Sequence, residues 1–291
     1  MKIGIYARVL RPEQIPFMDD LLKLLKDRGI IIWMHKDFAE AFKNLKRVAD
    51  FNLFDNNSLE QGSIDYLLSL GGDGTMLDTL TIVRDTNIPV LGVNMGRFGF
   101  LASSQKEDIA QTITELENKT YSIDKRTVLK LESDRTVFKH FPYALNDFVI
   151  HKKDTASMIT VHSYVNGVFL NSYWSDGLII ATPTGSSGYS LSCGGPLVFP
   201  GSKSFVLTPI APHNLNVRPA VISDDYILSF EIEGRTNSFL GTLDSRSVTV
   251  EKGTQLAIKK ADFSFSMIRL QNESFMDTIR RKLMWGLDNR N

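Results

Sequence analysis

The 291-residue sequence holds one cysteine, Cys193, so no disulfide framework can form within it, and a reducing compartment is expected. It has no excess charge of either sign: 33 Lys+Arg stand against 33 Asp+Glu. A general nucleic-acid surface normally carries a basic surplus, so that class is disfavoured. No uninterrupted apolar run approaches the roughly 18 residues of a membrane-spanning helix, and none is expected. The first residues, with Arg8 and Arg11 close behind a short apolar run, do not read as a signal peptide, and the cytoplasm is the expected location. Repeats and low-complexity tracts are lacking. What is present is a 43% hydrophobic share, enough for a sizeable core, and a length that suggests two domains.

Through about residue 120, short apolar runs alternate with amphipathic stretches. Lys2–Ala7 reads as a strand. Pro12 opens a helix in which Ile15, Met18, Leu21, Leu22 and Leu25 recur at helical spacing before Gly29 ends it. Ile30–Ile32 begins another strand, and Asp37 caps a helix running to Val48 with Phe38, Ala41, Phe42 and Leu45 on one face. Ile64–Leu70 and Pro89–Val93 read as strands, and Thr75–Asp85 and Glu107–Asn118 as helices. This alternation predicts a parallel sheet with helices on its faces, an α/β domain over 1–120. From Tyr121 to Leu270 short β-rich runs take over. Asn166-Gly167 between two of them is a strong hairpin signal, so 121–270 is expected to be all-β. Residues 271–291 return to helical spacing, with Phe275, Met276, Ile279, Leu283 and Leu287, and predict a C-terminal helix that packs back.

Two segments carry chemistry. Gly71-Gly72-Asp73-Gly74-Thr75 lies between a strand and a helix. Glycines allow close backbone approach, and the helix N-terminus suits phosphate. Thr75 can cap that helix or donate to a phosphate oxygen. Asp73 would repel an anion unless it binds a cation or accepts a proton from a reacting hydroxyl; the plainer alternative is a turn with an Asp cap. Neither G-x-x-x-x-G-K-[ST] nor G-x-G-x-x-G is present, which excludes a P-loop and the usual Rossmann dinucleotide turn. The second segment, Asp176–Pro196, runs from an apolar strand into hydroxyls, glycines and Tyr189, as a nucleotide pocket requires. Four of the histidines, His35, His140, His151 and His162, read as surface or core residues, while His213 is a candidate site residue. Cys193 reads as a small packed side chain. Arg97 is a candidate phosphate contact, and Phe98 and Phe100 read as packing.

These segments, with Asn146-Asp147 and Pro212-His213-Asn214-Leu215-Asn216-Val217-Arg218-Pro219, resemble NAD kinases in content and order from about Ile64 to Ala220. The Gly-Gly-Asp-Gly-Thr turn alone is shared with diacylglycerol-type lipid kinases and 6-phosphofructokinases; the longer segment is far more specific. The resemblance implies an active site between the two domains and phosphorylation of the adenosine ribose 2′-hydroxyl of NAD by ATP with Mg²⁺. It implies Asp73 as general base. Gly71, Gly72, Gly74 and Thr75 would hold phosphate oxygens, and Asn146 and Asp147 the adenine and ribose side of NAD. Asp176 would lie near the nicotinamide. Ser187, Gly188, Tyr189 and Ser190 would line the adenosine pocket, and Trp174, Thr184, Leu191 and Ser192 complete the binding set. No protein side chain is expected to ligate the metal, which ATP would carry. A homodimer or homotetramer through the β-rich domain is implied as well. Departures are Asp147 for the family's Glu, Ser187-Gly188 for its Thr-Ala, Trp174 for a frequent Arg, and Asp78 for a frequent basic residue. The alternatives are a lipid or sugar kinase with the same turn, or a nucleotide-binding regulator without turnover.

Overall fold

A computed structural model describes residues 1–9, 11–43, 51–96, 99–153, 157–271 and 274–285, and the chain divides into two compact units, Met1–Lys125 with Phe265–Asn291, and Arg126–Ser264. In the first unit β1 (Lys2–Tyr6) leads through α1 (Ile15–Asp27) to β2 (Ile31–His35), α2 (Lys36–Lys43) and β3 (Asn52–Phe54). β4 (Tyr66–Gly71), α3 (Asp73–Val83), β5 (Val90–Asn94), the short β6 (Ser104–Gln105) and α4 (Ile109–Asn118) follow. The expected extension of α2 to Val48, including Leu45, lies outside the described residues, as does Leu287.

β1–β5 are parallel in the order β5-β4-β1-β2-β3. The direction of winding reverses between β1 and β4, so their carboxyl ends flank the switch point where such sheets bind ligands. The helix spacing read from the sequence is what packs this sheet. Met18, Leu21, Leu22 and Leu25 of α1 and Ile109, Ile113 and Leu116 of α4 join Ile3, Ile5, Leu68, Leu70 and Leu91 in one core. Burying each such side chain contributes about 1.5–3 kcal/mol.

β7 (Tyr121–Ser133) carries the chain into the second unit. There β8 (Tyr143–Ala144), β9 (Asp147–His151), β10 (Ile159–Val165), β11 (Val168–Ser175), β12 (Gly177–Ala181), α5 (Tyr189–Ser192), β13 (Ser204–Ile210), β14 (Ala220–Ser223), β15 (Leu228–Glu233), β16 (Ser238–Leu243) and β17 (Arg246–Glu251) follow. β18 (Leu256–Leu270) returns to the first unit, where Met267 pairs in parallel with Val90 and α6 (Phe275–Leu283) ends the described helices. α6 is capped by the Ser274 hydroxyl accepting from the Asp277 amide, and it buries Ile279.

Within the second unit, one antiparallel sheet runs β14-β13-β12-β9-β16-β17. Alternate residues of it, Phe148, Ile150, Leu178, Ile180, Phe205 and Leu207, pack against Val161, Phe230, Ile232 and Ile258 of β10, β15 and β18. The other face, Val149, Ile179, Ala181, Val206 and Ile210, is covered by Cys193 and Val198. The strands β9, β12 and β13 are therefore apolar on both faces. Asn166 and Gly167 both have positive φ, 48° and 79°, as the predicted hairpin turn requires.

Candidate active site

The first unit contributes the glycine turn at the carboxyl end of β4. Gly72, not Thr75 or Asp73, is the N-cap residue of α3, and the amides of Thr75 and Met76 close the first turn on its carbonyl at 3.0 and 3.1 Å. Thr75 is buried, with its side chain folded against Gly71. Asp73 and Gly74 then occupy the first two helical positions, whose amides have no intrahelical acceptor.

Asp73 is half-buried, and its carboxylate is fixed by the segment that follows the neighbouring strand β5. Oδ2 accepts from the Phe100 amide and Oδ1 from the Leu101 amide, both at 2.9 Å. Gly99 lets that segment approach, since a Cβ there would lie 1.9 Å from Asp73 Oδ1. Each carboxylate oxygen retains a second lone pair for another donor. The segment 99–101 was not legible as part of the site. Arg97 and Phe98 lie outside the described residues.

The second unit brings Asn146 and Asp147 against the start of the Thr182–Ser192 segment. The Thr182 amide donates to the Asn146 carbonyl at 2.8 Å, and the Thr182 hydroxyl to the Leu145 carbonyl at 2.5 Å. Gly185 makes this approach possible: a Cβ there would lie 2.1 Å from the Asn146 carbonyl oxygen. The Asn146 side-chain oxygen is buried with no partner among the described residues, and Gly188 sits beside its Nδ2. Asp244, in the β16–β17 turn with φ 51°, accepts from the amides of Leu145, Asn146 and Asp147 at 2.9, 2.8 and 3.3 Å. Asp147 is 6% exposed. Burial, and then the neighbouring Asp244, push its carboxyl up to about 7.

The hydroxyls of the segment divide by direction. Ser186 and Ser187 bond to the carbonyls of Pro183 and Thr184, and Thr184 meets buried Arg126 at 3.2 Å. Ser190 is turned inward, fully buried and 2.8 Å from the Thr208 hydroxyl. Tyr189 and Ser192 are exposed, and Ser187, Gly188 and Leu191 half-exposed. Trp174 packs against His213 with ring centroids 4.2 Å apart and the rings tilted by 42°, while the His213 amide donates to the Trp174 carbonyl. Asp176 pairs with Lys152 at 2.6 Å. His35, His151 and His162 bond to Asn56, the Lys152 carbonyl and Ser172 respectively. Among the described residues, no three His, Cys, Asp or Glu side chains are grouped to hold a metal ion.

A glycine turn at the switch point of a parallel sheet, with free amides at the following helix, defines a nucleotide-phosphate-binding α/β class. Residues 3–121 match the ATP-NAD kinase N-terminal domain and residues 145–270 the ATP-NAD kinase C-terminal domain. NAD kinases of Cytophaga hutchinsonii and Christiangramia forsetii are 44% and 43% identical to the chain, over 100% of both partners in each case. The chain belongs to the NAD kinase family. Its fold is also that of yeast NADH kinase complexed with NADH (TM-score 0.86, 21% identity, 99% of this chain and 89% of that one). An NAD kinase from Archaeoglobus fulgidus in complex with ATP is a further match (TM-score 0.74, 24% identity, 98% and 99%).

Proposed function

We propose that the protein transfers the γ-phosphoryl group of ATP to the adenosine ribose 2′-hydroxyl of NAD, giving NADP and ADP. The observation that carries this reading is the Asp73 carboxylate, anchored by two backbone amides beside the free amides of a phosphate-type turn. Asp73 takes the hydroxyl proton. The rate gain rests on alignment and charge neutralisation. The turn Gly71-Gly72-Asp73-Gly74-Thr75 holds phosphate oxygens, chiefly through the amides of Asp73 and Gly74, since the Thr75 amide closes the first helical turn on Gly72. Asn146 and Asp147 bind the adenine and ribose side of NAD, and Asp176 acts near the nicotinamide. Tyr189, Ser187, Gly188, Leu191, Ser192, Thr184 and Trp174 line the dinucleotide, while Ser190 braces α5 from behind through Thr208.

Mg²⁺ supplies charge neutralisation on the transferring phosphates. The ion would be carried by ATP, since Mg²⁺ commonly keeps several waters and binds through substrate phosphates, and Asp73 is left to accept the hydroxyl proton. We place the protein in the cytoplasm; no helix among the described residues is long and apolar enough to cross a membrane. We also propose a homo-oligomer through β11, an edge strand exposing Val168, Phe169 and Leu170. Light scattering of Phe169→Lys, expected to give smaller particles, checks that contact.

The test of function is incubation with ATP, Mg²⁺ and NAD, read as NADP formation, alongside NAD titration by calorimetry. NADP formation is expected. Tight NAD binding with no turnover would replace the kinase reading with a nucleotide-binding regulator.

A further inference from the structure

Asp78 follows Thr75 by three residues, where an acid by itself would repel a polyphosphate. In the structure it is gripped by Arg8, which follows β1 on the other side of the switch point. Arg8 Nε donates to Asp78 Oδ2 at 2.6 Å and Nη2 to Oδ1 at 2.5 Å. Nη2 also donates to the Gly74 carbonyl at 3.2 Å, and the Tyr6 hydroxyl adds a bond to Asp78 Oδ2 at 3.1 Å. A guanidinium has about five N–H donors. Those on Nη1 make no bond to a described residue. Nη1 lies over the glycine turn, 3.5 Å from where a Cβ of Gly74 would be, and the Arg8 side chain is 47% exposed. The free amides of Asp73 and Gly74 belong to the same turn.

We propose that Arg8 contacts substrate in the kinase reaction: its Nη1 binds a phosphate oxygen of ATP, and Asp78 is the positioning residue that holds the guanidinium over the turn. The assignment rests on the kinase reading above. Arginine suits the task because its planar fork can serve a carboxylate on one edge and a phosphate on the other. Lysine, a single ammonium, cannot occupy both partners in this way. The arrangement also accounts for the acid at position 78. Its charge is matched, and it orders a long side chain before ligand arrives.

Wild-type NADP formation is measured first; its absence overturns the kinase reading and not the geometry at Arg8. In the active protein, Arg8→Ala should raise KM for ATP about tenfold or more, as loss of a charged hydrogen bond does. It should weaken inhibition by inorganic tripolyphosphate in parallel and leave KM for NAD within about twofold. Arg8→Ala/Asp78→Asn should recover part of the loss, because no unmatched acid then faces the phosphate. A purely structural Arg8 would lower the melting temperature or kcat without moving KM for ATP. A folded Arg8→Ala protein with unchanged KM for ATP, or with the rise in KM for NAD instead, overturns the proposal. If Arg8→Ala does not fold, Arg8→Lys reads the same shift with the charge retained.

Discussion

Asp73 and Asp147 are carboxylates of the same length, each near an end of a central strand, and their surroundings are opposite. Asp73 accepts two backbone amides and stays half-exposed in the first unit. Asp147 is buried in the second unit beside another acid, Asp244, and is pushed up to about 7. Position in the fold, and not residue type, decides which acid is arranged to meet a donor from outside. Beside Asp147, the amides of Leu145, Asn146 and Asp147 all donate to Asp244. The first unit spends backbone donors on Asp73; the second spends them on Asp244, which shapes the turn.

The sharpest way to break the comparison is Asp73→Asn. Removing a general base lowers kcat by about 10²–10⁴-fold. The amide also turns an N–H₂ toward one of the Phe100 and Leu101 amides, which costs about 1–3 kcal/mol. Steady-state kinetics with a thermal melt separates the two, and a near-normal kcat in a folded variant removes Asp73 from the base role. Gly99→Ala comes next. Its Cβ would sit 1.9 Å from Asp73 Oδ1, so the carboxylate or its anchoring segment must shift. Displacement by an ångström costs about 10²-fold in rate. Unchanged kcat in Gly99→Ala would show that the anchoring is not needed for turnover.

On the second unit the matching probe is Asp244→Asn. Asparagine tolerates the left-handed backbone at this position, φ 51°, so the substitution reads the carboxylate and little else. One oxygen can no longer accept, and an amide of the Leu145–Asp147 turn loses its partner, at about 1–3 kcal/mol. Chemical denaturation measures that cost. A neutral outcome would mean that the three amides find other acceptors.

Much of this arrangement is legible in the sequence, where local chemistry decides the structure. Pro12 and Gly29 bracket the first helical region because proline suits a first turn and Gly29 takes φ 66°. Asn166-Gly167 turned as expected for the same kind of reason. The apolar strand that leads into Asp176–Pro196 is packed as its sequence suggests, with Ile179 and Ala181 buried, whereas Tyr189 farther along is exposed. What was not legible depends on partners far apart in the chain. Arg8 and Asp78 are 70 positions apart, and Asp244 reaches back 97 to 99 positions to the turn it holds. No spacing rule links such pairs. Ser190 looked like its neighbours in a hydroxyl-rich run, yet a short helix turns it inward to Thr208. The cap of α3 fell on Gly72, and the Thr75 side chain folds back against Gly71 within the same turn instead of capping the helix.

The smallest expected effect tests the second half of the comparison most directly. The folded-state pKa of Asp147, about 7, lies above its unfolded value of 3.8. The folded protein therefore binds a proton more tightly than the unfolded chain across that window. The resulting stability is fully present below about pH 4 and is lost as pH rises through 7. Asp244, also raised by burial, acts with the same sign. Melting temperature should then fall between pH 5 and pH 8. Asp147→Asn, which keeps the shape and removes the titration, should flatten part of that fall, by about 2–4 °C for each kcal/mol recovered. A slope unchanged by Asp147→Asn would mean that the proton lost on this limb belongs to another group, and the contrast between the two aspartates would then be one of hydrogen bonding alone.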